Sequence, residues 1–121
     1  MNTATRFREW SGKPLLAPFS WDAGQSVILV TDLFAVVKDD LSLYDTFAVM
    51  ALCPQHRFRL RTAFPDRYHD YVRTITEDDS ERLHWLLCVS FVLNDLGRYL
   101  EAQKAIAPAW PLKNVELASL N

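Results

Sequence analysis

The stretch Ser80 to Arg98, SERLHWLLCVSFVLNDLGR, is the longest apolar run in the chain, and any fold must accommodate it. Ser80 suits an N-cap, because its hydroxyl can accept a hydrogen bond from an orphan amide of the first turn, and Glu81 suits the positive end of the helix dipole. Thr76 with Asp79 three residues later marks a second start, so the first turn falls between Glu77 and Glu81. From Leu83 to Leu96 the apolar side chains fall on nearly every side of a helical wheel, the pattern of a helix buried all round. The run from Trp85 to Leu93 is far short of the ~20 residues a bilayer requires, so no membrane span is expected. Gly97 offers a left-handed position to end the helix.

The spacing predicts an all-α fold, a compact bundle of about five helices around a buried central helix at about 80–96, with extended apolar N- and C-terminal arms. His84, Asn94 and Asp95 interrupt the central helix, and are expected as hydrogen-bonded polar groups of the core, with Asp95 capping or paired with an arginine. His84, Cys88 and Asp95 share a face, yet His84 and Asp95 stand roughly 16 Å apart along the axis, too far to hold one ion.

A chain of 121 residues is expected to form a single domain: an arm at 1–19, a helical core at 20–106 and a docking tail at 107–121. Gly12, Pro14 and Pro18 interrupt any helix in the first arm, which carries Trp10. A helix is predicted over Trp21 to Val37. The β-branched run Val27 to Val30 and Gly24 favour a strand there, but the length of the apolar pattern favours the helix. A polar turn at Lys38 to Leu41 and a cap at Ser42 lead into a helix Leu43 to Cys53, stopped by Pro54 and paired with its predecessor as a hairpin. His56 to Arg61 alternates as a surface strand would, while Leu60 and Phe64 fit a helix between Pro54 and Pro65. Helix is again the reading adopted. Pro65 opens a further helix, Asp66 to Ile75. In the tail, Trp110 lies between Pro108 and Pro111, followed by Leu112, Val115, Leu117 and Leu120.

With 50% hydrophobic residues, 23% charged and a net charge of −2, the chain is neither disordered nor a polyanion binder, so a nucleic-acid partner is not expected. Cys53 and Cys88 sit in apolar surroundings, which predicts buried thiols and a reducing, cytoplasmic compartment. The spacings of Cys53 with His56 and of His84 with Cys88 are zinc-like, but no turn motif separates the paired residues. No cofactor is expected.

Two groups of residues are candidates for function. Arg57, Arg59, Arg61, Arg67 and Arg73 form a basic segment suited to an anion or an acidic partner, because guanidinium forks bind oxyanions bidentately. The acidic turn Glu77, Asp78, Asp79 and Glu81 can instead match that charge within the molecule. The second group is Leu93-Asn94-Asp95-Leu96-Gly97-Arg98, which resembles the HD-domain superfamily of metal-dependent phosphohydrolases. There a helix ends in a His-Asp pair followed by an apolar residue, Gly and a basic residue. The resemblance covers His69 to Arg98, and implies a site of His69, Asn94, Asp95 and Arg98. Asn94 stands where the family has histidine, so the resemblance implies a degenerate module without its metal. The leading expectation is a non-catalytic helical interaction or regulatory module, self-associating or part of a larger assembly, that meets a homo-oligomeric or protein partner through Arg57, Arg59, Arg61, Trp10 and Trp110. The alternative is a small enzyme, or enzyme component, with its pocket around His69, Asn94 and Asp95.

Overall fold

The computed structural model of the chain describes residues 7–22, 24–35, 40–98 and 110–118. In chain order these form β1 (Arg8–Trp10), a 3-10 turn (Ala17–Ser20), β2 (Ser26–Leu29), α1 (Asp40–Ala51), β3 (Arg57–Leu60), α2 (Pro65–Glu77), α3 (Asp79–Asp95) and β4 (Val115–Leu117). The strands make one sheet in the order β1-β2-β3-β4, every neighbouring pair parallel. The fold is therefore α/β, and the expectation of an all-α bundle of about five helices is wrong.

The correction has local causes. Val27 to Leu29 are the β-branched and apolar residues that suit a strand, and here they pair with β1 on one side and β3 on the other. The alternation of Arg57-Phe58-Arg59-Leu60 is a strand with Phe58 and Leu60 buried, so neither predicted helix at these two places forms. The helical hairpin is replaced by a crossover from β2 through α1 to β3. Val36 and Val37, like Lys38 and Asp39, lie outside the described residues, as do Tyr99, Leu100, Ile106 and Leu120. Neither terminal segment is a free apolar arm: β1 pairs with β2, and β4 with β3.

The helical expectations that hold are those resting on prolines and stops, whereas the expected cap Ser42 lies inside α1, which begins at Asp40. α1 ends before Pro54, and α2 opens at Pro65. α3 begins within the bounds expected, but its cap is Asp78, whose Oδ1 accepts from the amides of Ser80 (2.9 Å) and Glu81 (3.2 Å). Gly97 is left-handed at φ 75°, with its N–H donating to Asn94 O and that of Arg98 to Leu93 O.

α3 is not buried all round. Trp85, Cys88, Val89, Val92 and Leu93 face the core, whereas Leu83, Leu87 and Phe91 are 58%, 51% and 62% exposed. His84, Asn94 and Asp95 are exposed as well, so they are not core polar groups.

The core lies between one face of the sheet and the helices: Trp10, Val27, Leu29, Phe58, Leu60 and Val115 meet Phe47, Met50, Trp85 and Val89. Two polar side chains tie its base. Gln25 N–H donates to His56 Nδ1 (3.0 Å), which leaves the proton on Nε2 to donate to Pro18 O (2.9 Å). The Asn114 amide donates to Met50 O (2.8 Å), Cys53 O (3.1 Å) and His56 O (3.2 Å), joining the end of α1 to the start of β3 and the approach to β4.

Gly24 lies where two backbones meet, since a Cβ there would sit 2.4 Å from Gln55 O. Gly24→Ala must move the chain just before β2 away from the turn before β3. It is expected to lower the unfolding free energy by about 1–3 kcal/mol in urea titration, the range for an overpacked site.

Candidate functional site

In a parallel pair, residues in register share a face, and alternate residues along a strand lie on opposite faces. Trp10, Leu29, Leu60 and Leu117 are one such row, on the covered side. The row one residue earlier, Glu9, Ile28, Arg59 and Glu116, therefore lies on the other side, together with Ser26 and Arg57 two residues before Ile28 and Arg59. No described helix or strand packs on this second face. Arg57, Glu9 and Glu116 are exposed there, and Ile28 is half-buried.

The face is polar with apolar patches. Glu116 Oε1 accepts from Arg59 Nε at 3.0 Å, and lies 3.7 Å from Arg57 Nη2. All three side chains remain open to solvent, at 43% exposure for Arg59, 74% for Arg57 and 45% for Glu116. The Arg59 guanidinium also stands 4.7 Å over the ring of Phe7, itself partly exposed. Arg61 continues the same alternation two residues beyond Arg59, exposed and without an ion-pair partner among the described residues. Val30, two beyond Ile28, is 47% exposed.

A cavity of about 270 Å³ opens beyond the carboxyl ends of β1 and β2, lined in part by Ser11, Lys13, Leu15, Asp32, Leu33 and Thr46. Ligands of open α/β sheets lie at such ends where the strand order reverses, and this order does not reverse. The carboxylate within it serves the fold. Asp32 Oδ1 accepts from Phe34 N–H (3.0 Å), and Oδ2 from Ala63 N–H (2.9 Å). Burial pushes this carboxyl up, but the Ala63 amide, the Thr62 hydroxyl, the Phe34 amide and Arg67 outweigh it and hold it below its ordinary value.

The basic segment divides by element. Arg57, Arg59 and Arg61 belong to the open face, while Arg67 donates to Phe34 O (2.7 Å) and Arg73 pairs with Asp70 on the same helix (2.6 Å). The acidic turn is occupied elsewhere: Asp78 caps α3, Asp79 pairs with Arg82, and Glu81 accepts from the Tyr44 hydroxyl. Trp10 is 3% exposed, its indole N–H donating to Pro14 O (3.2 Å). Trp110 is half-buried edge-on to Trp85, with ring centroids 5.0 Å apart. Both indoles complete the core.

His69 is exposed on α2 against Tyr68, Asn94 and Asp95 are exposed on the last turn of α3, and Arg98 is exposed just beyond it. Among the described residues no three His, Cys, Asp or Glu side chains are grouped to hold a metal ion. His56, Cys53, His84 and Cys88 are not such a group, and His56 is committed at both ring nitrogens. No family model, curated protein or solved structure matches the chain.

Phe7, Glu9 and Glu116 are not among the candidate site residues that the sequence marks. Their signal was present: REW, RFRL and VEL each alternate polar with apolar residues, as strands with one wet face do.

Cys53 and Cys88 are buried free thiols. Burial pushes Cys53 up to about 12, partly offset by Arg98, and burial together with Asp45 pushes Cys88 up to about 11. Thiols that stay protonated are poor nucleophiles, so folded protein at pH 8 is expected to resist a disulfide reagent that titrates both thiols in urea. Because the folded state holds these protons more tightly, unfolding releases them. The thiol contribution to stability is present below the ordinary value of 9.0, and is lost as pH rises through the folded values. Urea midpoints measured from neutral to alkaline pH check this.

Proposed function

We propose that this domain works by binding, as an interaction module that docks an acidic segment of a protein partner on the open face of its sheet. Arg57, Arg59 and Arg61 are the anchors. The observation that carries the reading is a parallel sheet that the described residues cover on one side alone. Parallel sheets occur almost always with both faces covered, so an open one is a surface suited to a second molecule. Its chemistry selects that molecule. Two arginines alternate along an inner strand and Arg61 follows just beyond its end, flanked by Phe7 and Val30, and arginine with aromatic residues is the composition enriched where proteins meet.

Glu116 is the internal competitor, since its carboxylate holds Arg59 and Arg57 until an incoming carboxylate takes their place. Among the described residues no helix is long and apolar enough to cross a membrane. The two buried free thiols support a reducing, cytoplasmic setting.

The test is fluorescence anisotropy with a labelled oligo-glutamate peptide at low salt. Arg61→Glu is expected to weaken binding by up to about fivefold, the scale of one exposed charge pair, and Glu116→Gln to strengthen it. Both side chains are exposed, so thermal melting should change little in either variant. Unaltered affinity in Arg61→Glu, or equal binding of an oligo-lysine peptide, overturns the proposal.

A further inference from the structure

The outer side of α3 lies away from the sheet, and its chemistry is different. Leu83, Leu87 and Phe91 follow one another at intervals of four and are 58%, 51% and 62% exposed. At about 100° per residue Leu83 and Phe91 lie ~40° to either side of Leu87. Ser80 and Asn94 stand seven residues before and after Leu87, about 20° off its direction, and both are exposed. The stripe thus has an apolar middle and two polar ends placed symmetrically about Leu87.

We propose that this stripe is the contact through which two copies of the chain pair, α3 against α3 and antiparallel, about a two-fold axis beside Leu87. The occupant follows from the symmetry of the pattern. A two-fold contact brings the same patch of both molecules together, so the patch must complement its own reverse. Here Leu87 meets Leu87 of the second copy, Leu83 comes level with Phe91, and the Ser80 hydroxyl comes level with the Asn94 amide, a pair able to hydrogen-bond.

The charges point the same way. The amino-terminal end of α3 carries Glu77, Asp78, Asp79 and Glu81 beside it, and its carboxyl end is followed by exposed Arg98. The last turn of α3 carries Asp95 and no basic residue, so antiparallel pairing sets the acidic end of one helix by Arg98 of the other, just beyond that turn, and opposes the two helix dipoles. Asp79 and Asp95, each about 80° from Leu87 and to opposite sides, come to lie on opposite flanks of the pair and do not confront each other. A parallel pair would place the acidic ends together. This contact uses none of the residues of the arginine face, and its success or failure is independent of that proposal.

Light scattering across a concentration series is expected to show the mass rising from 14.0 kDa toward twice that value, and Leu87→Asp to remain monomeric with an unchanged melting temperature at low concentration. The geometry is read by cysteine crosslinking, for which buried Cys53 and Cys88 give little background. Leu87→Cys is expected to form a disulfide dimer. Ser80→Cys is expected to crosslink with Asn94→Cys in a mixture far more readily than either does with itself. A protein that is monomeric at every concentration, a dimer that survives Leu87→Asp, or crosslinking of Ser80→Cys chiefly to itself would each overturn the pairing.

Discussion

The strand order decides the shape of this molecule. Each parallel step from β1 to β4 moves in the same direction across the sheet, and crossovers of this kind are almost invariably right-handed. Connections that never reverse direction lie on one side. The 3-10 segment, α1 and the α2–α3 pair are thus gathered over a single face, where Phe58, Leu60, Val27 and Leu29 receive them. Among the described residues no helix or strand covers the opposite face. Its exposure follows from topology, and the residues on it have the polarity that exposure requires.

Holding such a sheet together depends on a few points where distant segments touch at short range. The Asn114 side chain gathers three carbonyls of the α1–β3 connection, and His56 links the chain just before β2 to the 3-10 turn. The His56 bond to Pro18 O is buried and the others are part-buried, so they satisfy backbone groups that are largely withdrawn from water. They align the starts of β2, β3 and β4, and thereby set the register that places Arg59 between Ile28 and Glu116. The Arg57 and Arg59 sites depend on this alignment, because a slip of one residue would turn both side chains into the core.

The two outer surfaces present different chemistry. On the sheet side, cationic forks stand over a partly apolar floor. On the helix side, a leucine and phenylalanine stripe runs between polar ends. The same helix serves both the core and the outside, which explains why its apolar residues surround it completely: Trp85, Val89 and Val92 bind the domain, while Leu83, Leu87 and Phe91 remain outside it.

The sequence by itself located the three helices, the opening of α2 and both ends of α3, although α1 begins at Asp40, before the cap expected at Ser42. Pro65, the acidic start of α3 and Gly97 act through bonds within a few residues, and such signals are complete locally. It also singled out Arg57, Arg59 and Arg61, whose alternation was visible. What it did not determine was that Val27 to Leu29 and Arg57 to Leu60 are strands, since segments of four residues gain their hydrogen bonds from partners that lie far away in the chain. Nor did it separate the buried side of α3 from the wet one. A helix apolar all round gives no periodic cue to its inner face, and only the packing of α1 and α2 against it made that choice.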